Sequence, residues 1–515
     1  MLWPIQVSST YKHSRLPSMT PDTADISTNA HLTHQLRPAL LGLAVGDALG
    51  VPVEFTSRTT RVQDPVTSMR AYGTHHQPAG TWSDDSSLTF CLAEAIAEGY
   101  TVRRLANNCQ RWYEKGFWTP HGDVFDIGIT TREALQRLRQ QANDSSPLVG
   151  GCDEMSNGNG ALMRILPLAF YAESASLHTR FQLIVEASAI THGHIRSAVA
   201  CFLYLEMAAY LRQGLKPGDA YARLCQDALA KLYQLNIPAK EADQFDRILS
   251  GRLPNIVKSA ISSSGYVLHT LEAVLWCLLN HDTYAATVLA AVNLGNDTDT
   301  TGAVAEGLAG ICYGEESIPS EWLQSLARRT DIEDLAQRMA IGCANHPRPI
   351  PNSYWATEAV LGCEYPGDRN KQQAEAKLTA LLHAGISDFY DLTEAHELTP
   401  YEPLLQTLAS KLGIQATYYR FPIRDINVPD AVTLESVLIA IEATVAAARK
   451  AAVHCWGGVG RTGTVLGCYL IRAEQLSGAQ ALARIDQEWQ GVDKIGRKPQ
   501  SPETTAQFQL VERFR

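Results

Sequence analysis

Asn345-His-Pro-Arg-Pro-Ile-Pro-Asn352 divides this chain of 515 residues into two unlike patterns. Three prolines in eight residues forbid a continuous helix, because proline lacks a backbone N–H and its ring clashes with the preceding turn. Residues 346–353 therefore read as an extended, proline-rich linker. Before it, over 36–345, apolar residues recur at three- and four-residue spacing, as at 88–96, 198–211, 267–279 and 304–311. This periodicity predicts core-facing helices and an all-α domain. Beyond it, over 354–515, short β-prone pieces at 359–364, 388–392, 416–422 and 451–454 alternate with helical pieces at 372–383, 434–449 and from about 461. Alternation of this kind predicts an α/β domain around a central, mostly parallel sheet. Residues 1–35 begin polar, rich in Ser and Thr, and read as a flexible N-terminal tail.

The bulk composition agrees with two ordinary domains. With 45% hydrophobic and 19% charged residues there is ample material for packed cores. A length of 515 residues exceeds what one core usually supports. The net charge of −10 argues against general nucleic-acid binding, which needs clustered Lys and Arg. The eleven cysteines are scattered and form no Cys-x-x-Cys pair, so neither a zinc knuckle nor a disulfide framework is indicated, and a reducing cytoplasm is expected. No uncharged apolar run of membrane-spanning length is seen, and no membrane partner is expected.

The sharpest motif is His454-Cys455-Trp456-Gly457-Gly458-Val459-Gly460-Arg461-Thr462. Gly457, Gly458 and Gly460 let consecutive backbone N–H groups converge on one point, and an apolar helix begins at once, so the loop reads as an anion cradle. Such a cradle stabilises a thiolate at Cys455. Arg461 can grip two phosphate oxygens with its planar fork while the sulfur attacks phosphorus, and Thr462 is placed to hydrogen-bond the sulfur as it leaves. A second Cys/Arg pair, Cys363-Glu-Tyr-Pro-Gly-Asp-Arg369, is a decoy: two carboxylates would crowd any phosphate, and Pro366 has no N–H to offer.

In the first half, acidic residues gather at polar turns. Ser83, Asp84 and Asp85 offer three oxygen ligands, and Asp297, Asp299 and Thr300 offer three more. Hard oxygen donors without clustered Cys or His favour Mg²⁺ or Mn²⁺ over zinc. Helix capping competes with this reading for either cluster alone, since each precedes an apolar helical run. An EF-hand is disfavoured because Leu308 stands where the bidentate Glu belongs.

Two resemblances follow. Residues 36–345 resemble the ADP-ribosylglycohydrolase family, the group that includes dinitrogenase reductase-activating glycohydrolase. The motifs that carry this are Gly46-Asp47 with Glu54, Trp82-Ser83-Asp84-Asp85, Phe125-Asp126-Ile-Gly128, Gly158-Asn159-Gly160-Ala-Leu-Met-Arg164, Thr191-His192-Gly-His194 and Asn296-Asp297-Thr-Asp299-Thr300. The resemblance implies two metal ions held by Ser83, Asp84, Asp85, Asp297, Asp299 and Thr300. It further implies a catalytic carboxylate at Glu54, with Asp126, Gly158, Asn159, Gly160 and His192 lining the substrate. Ser83 stands where the family usually has Thr, which keeps the hydroxyl. Residues 354–515 resemble the protein tyrosine phosphatase superfamily in its dual-specificity or kinase-associated form, through the His-Cys-x5-Arg-Thr loop with Pro422-Ile-Arg-Asp425 and Gln507. That resemblance implies Asp425 as the acid that protonates the leaving oxygen.

Together these imply a bifunctional hydrolase. The first domain would act on an ADP-ribosylated protein or a small ADP-ribose derivative with two Mg²⁺ or Mn²⁺ ions. The second would act on a phosphorylated protein or small phosphoester without a cofactor. The alternatives are a phosphatase whose first domain only binds ADP-ribose, a non-enzymatic scaffold, and a first domain that acts on another metabolite.

Overall fold

The computed structural model describes residues 23–141, 146–343 and 347–515, with side chains from residue 30 onward. Most of the expected tail, 1–22, residues 344 and 345 at the end of the expected first domain, and linker residue 346 lie outside these. Residues 23–35 correct the expectation of a flexible tail: they are the first turns of helix α1, Thr23–Gly50. The polar start of α1 has no apolar stripe to betray it, and the helix is carried by its buried C-terminal half. The stretch Ala30–Val53 is long and apolar enough to cross a membrane, but 94% of its most apolar window is buried inside the fold.

α1 packs chiefly against α6 (Thr298–Tyr313) and α7 (Arg329–Cys343) and also touches α2 (Asp84–Ala97); α3 (Val102–Lys115) packs on α2, while α4 (Ile195–Arg212) and α5 (Val267–Leu279) pack on α6. The core of this region is drawn entirely from residues 36–340. The contact that matters for function is α1 against α6. A Cβ on Gly50 would come within 2.4 Å of Asp299 Cα, and one on Gly302 within 2.6 Å of Gly46 O. Only bare backbone fits there, and this close approach brings Asp47 on α1 beside Asp299 on α6.

The second region opens with β1 (Ser353–Thr357) and β2 (Val360–Cys363), continues through α8 (Lys371–His383), β3 (Ile386–Asp391), α9 (Glu402–Leu412), β4 (Thr417–Arg420), α10 (Ala431–Ala446) and β5 (Lys450–His454), and ends with α11 (Gly460–Glu474), α12 (Gly478–Trp489) and α13 (Thr505–Arg513). The sheet order is β1-β2-β5-β3-β4, with β1 antiparallel and the other pairs parallel. In the register of the central strands, Cys363 faces His454 and His454 faces Asp391. The ends of three parallel strands thus meet at one crevice, the usual place for a ligand in an open α/β sheet.

The described part of the linker is pinned to its surroundings. Pro347 O accepts from Trp355 Nε1 at 3.0 Å, Arg348 Nη2 donates to Glu488 O at 2.8 Å, and Ile350 sits in the core beneath the sheet.

Candidate active sites

The acidic clusters of the first region converge although they lie more than 200 residues apart. Asp47 sets the geometry: its carboxylate accepts from Ser83 N (2.8 Å), Ser86 N (3.0 Å) and Ser86 Oγ (2.6 Å), fastening the start of α2 to α1. Ser83 is the N-cap of α2, and its Oγ also donates to Asp85 Oδ2 at 2.9 Å. Thr300 Oγ1 reaches the same oxygen at 3.3 Å from α6. Asn159 Nδ2 donates to Asp297 Oδ2 at 2.7 Å. Capping therefore holds for Ser83. It fails for Asp297, whose side chain makes no cap bond at the head of α6.

Carboxylate oxygens of Asp47, Asp85 and Asp299 lie within 4.8 Å of one another, as do those of Glu54, Asp297 and Asp299. Asp84 lines the same cavity without joining either trio. Burial, together with the neighbouring carboxylates, pushes Asp84, Asp85 and Asp299 well above the usual carboxylate range. Burial raises Asp47 to about 6 and, with Asp126 beside it, Glu54 to about 11. Asp85 Oδ1 and Asp299 Oδ2 are buried with no hydrogen-bond partner. A buried carboxylate oxygen without a donor is costly, and two of them side by side fit the donor set of a hard cation.

The cavity above, about 580 Å³, is lined by Glu54, Asp126, Gly158, Asn159, Gly160 and His192 among others. The structure thus brings together every substrate-side residue expected for the first domain. Burial takes His192 down to about 3, so it is a neutral ring, and its Nδ1 faces Thr191 Oγ1 at 2.8 Å. One participant was not foreseen. His75 Nε2 lies 2.5 Å from Glu54 Oε2, its ring sits near Phe55 and Phe125, and Thr74 Oγ1 donates to Glu54 O at 2.8 Å. No motif marks His75, which reaches Glu54 from a loop 21 residues on.

In the second region Cys455 follows β5 and opens the loop into α11. Gly458 has φ +73°, and a Cβ there would meet the Cys363 carbonyl at 2.6 Å, so both conformation and space demand glycine. Arg461 is buried with its guanidinium held by three residues: Nη1 and Nη2 donate to Glu397 at 2.8 and 2.7 Å, Nη1 also to Ile423 O at 3.0 Å, and Nη2 pairs with Asp425 at 2.9 Å. Its Nε and the hydroxyl of Thr462 are buried without partners. Asp425 is half-exposed above the cavity of about 420 Å³ that holds Cys455. Glu397 had no signal in the sequence, standing 64 residues from Arg461 on an irregular segment. Lys494, Arg497 and Lys498, also unforeseen, line the mouth of this cavity.

The decoy cysteine is part of the sheet. Cys363 ends β2, buried, and burial beside Glu364 drives its thiol well above the ordinary range. Alkylation by iodoacetamide at pH 6 is therefore expected at Cys455, about tenfold or more ahead of Cys363, as read by peptide mapping. Faster labelling of Cys363 would show that the Cys455 loop does not activate its sulfur.

A helical body whose buried carboxylates surround a cavity, followed by a parallel sheet that delivers a cysteine and an arginine to one loop, defines a hydrolase in two parts. The model of the family described as ADP-ribosylglycohydrolase matches residues 28–348. A second model, described as a polymorphic toxin system DSP-PTPase phosphatase, matches residues 362–475. The chain is 32% identical over 328 residues to the ADP-ribosylarginine hydrolase Tri1 of Pseudomonas putida (strain GB-1), covering 63% of this chain and 81% of that protein. It is 30% identical over 306 residues to the ADP-ribosyl-[dinitrogen reductase] glycohydrolase of Rhodospirillum rubrum, covering 57% and 91%. A solved structure titled ADP-ribosylglycohydrolase-related protein complex superposes with a TM-score of 0.51 at 30% identity, over 61% of this chain and 99% of that one. The chain belongs to the ADP-ribosylglycohydrolase family and carries a PTPase-like domain after it.

Proposed function

We propose that the first domain, residues 36–345, hydrolyses an ADP-ribosyl glycosidic bond with two Mg²⁺ or Mn²⁺ ions, and that the second, residues 354–515, hydrolyses phosphomonoesters through a phosphocysteine. The observation that carries the first reading is the pair of buried, partnerless oxygens on Asp85 and Asp299. Ser83, Asp84, Asp85, Asp297, Asp299 and Thr300 would hold the ions, with Asp47 beside them. Bound there, the cations supply charge stabilisation for the ribose diol and the attacking water. The chain's own groups do the rest. Asn159 holds Asp297 and His75 holds Glu54; with cations neutralising the carboxylates that hold it protonated, Glu54 would ionise and serve as the base that takes the proton of the attacking water. The neutral His192 and the 158–160 turn seat the remainder of the ADP-ribose. The names of the relatives favour ADP-ribosylarginine as the bond cleaved.

In the second domain Cys455 Sγ attacks phosphorus, the ester P–O bond breaks, and Asp425 gives its proton to the leaving oxygen. Arg461 Nε, left without a partner, is the donor available to a phosphate oxygen. Glu397 fixes the guanidinium plane from behind. Thr462 Oγ1 stabilises the sulfur when water releases the phosphate.

Both readings are tested by product analysis of the purified chain on ADP-ribosylarginine and on p-nitrophenyl phosphate. Absence of free ADP-ribose, with Mg²⁺ and Mn²⁺ each supplied, overturns the first. Turnover of the phosphoester that survives Cys455→Ser overturns the second.

The acidic cluster also sets a pH dependence. Its carboxylates have folded-state pKa values above their unfolded ones, so the folded form binds more protons. The stability this contributes is full below about pH 4 and is lost as pH rises through the raised values, for Asp47 through about 6. With chelator present, the melting temperature of the helical domain is expected to fall between pH 5 and 8. With Mg²⁺ or Mn²⁺ that fall is expected to shrink, because cations replace the protons. A melting temperature that is metal-independent at every pH would contradict cation binding at this cluster.

A further inference from the structure

The cavity at Cys455 continues beyond its own loop. Lys494 and Arg497, at its mouth, also line a second cavity of about 690 Å³ whose opposite wall belongs to the helical region. That wall is Arg103 and Asn107 on α3, and Asn352 and Asp493 complete the sides. No apolar side chain lines it, and with Lys494 already paired to Glu364 beside it, Arg103 and Arg497 still outnumber the one lining carboxylate, Asp493, so the cleft suits an anion and not an apolar ligand. Lys494 ties the two cavities together: its Nζ donates to Gly457 O in the Cys455 loop at 3.3 Å and pairs with Glu364 at 2.6 Å. The junction that forms the cleft is closely packed. Arg104 Nη2 donates to Gln490 O at 3.2 Å, and a Cβ on Gly99 of the helical region would meet Gly491 Cα at 3.4 Å.

We propose that this cleft is a second anion subsite of the phosphatase, so that its substrates are phosphoesters carrying a further phosphate or diphosphate group. The reacting phosphate sits on Cys455 while the second lies between Arg497 and Arg103, where guanidinium groups from both regions bind its oxygens. The helical region thereby contributes to recognition by the phosphatase without supplying a catalytic group. The second phosphate is held and not cleaved. This rests on the reading of Cys455 as the phosphate site.

The test uses the full chain and p-nitrophenyl phosphate turnover, inhibited by orthophosphate and by a series of alkanediol bisphosphates of two to eight carbons. At least one chain length is expected to inhibit tenfold or more below the orthophosphate inhibition constant. Arg103→Gln is expected to raise that bisphosphate constant about tenfold while leaving the orthophosphate constant within twofold. Asn107→Asp, which adds a carboxylate to the same wall, is expected to act in the same direction. Unchanged melting temperatures identify variants that fold. Should no bisphosphate outperform orthophosphate, or should both variants leave the bisphosphate constant unchanged or weaken the two inhibitors equally, the subsite is excluded. If turnover instead survives Cys455→Ser, it is the underlying phosphatase reading that fails.

Discussion

Cys455→Ser is expected to lower phosphomonoester turnover on the order of 10⁴-fold or more, the scale seen when a covalent nucleophile is removed, while ADP-ribosyl hydrolysis by the same preparation stays within twofold. The expectation follows from position. Cys455 directly follows the central strand β5, its loop is shaped by Gly458 against the Cys363 carbonyl, and Arg461 is clamped by Glu397 with Nε unspent. Serine keeps the shape but has a far poorer nucleophile, so folding should be unchanged. A steady-state assay with both substrates checks it, and equal loss of both activities in a folded variant would mean one composite site.

The second large effect is expected at the acidic cluster. Asp299 belongs to both carboxylate trios and is fully buried. Asp299→Ala should reduce ADP-ribosyl hydrolysis by at least about 10²-fold, as expected when a preorganised electrostatic group is lost, and should remove stabilisation by Mg²⁺ or Mn²⁺. Without cations the same change should stabilise the fold, because it removes a buried carboxyl that can ionise among four others only at a cost. That reversal of sign separates a ligand from a merely structural residue: a variant that is less stable both with and without cation would speak for packing alone.

What the sequence made legible follows how the site is built. Ser83-Asp84-Asp85 and Asn296-Asp297-Thr-Asp299-Thr300 are contiguous, since each heads a helix whose first turn aims several oxygens at one point. The Cys455 loop is contiguous for the same reason. His75, Glu397 and Lys494 escaped because each arrives from a loop that only the tertiary fold brings near, and none carries a spacing that chemistry requires. Asp47 was visible beside Gly46 in a motif, yet its work of fastening α2 to α1 depends on Ser83 N and Ser86, which no local pattern relates to it. The architecture read more easily than its edges. The periodicity revealed α2, α4, α5 and α6, and the alternation revealed β2 to β5, but β1 is five residues directly after the prolines and offers no period to count. The polar start of α1 likewise looks like tail until its apolar half is seen buried.

The central claim is that one chain holds two chemically independent catalytic centres, one dependent on cations and one on a thiol. The most direct measurement follows both reactions in a single preparation of the full chain, first with chelator and then with vanadate. The account predicts that chelator abolishes release of ADP-ribose and spares phosphate release, and that vanadate, which occupies the Cys455 loop as a phosphate mimic, does the reverse. Loss of both reactions under either reagent alone would contradict it.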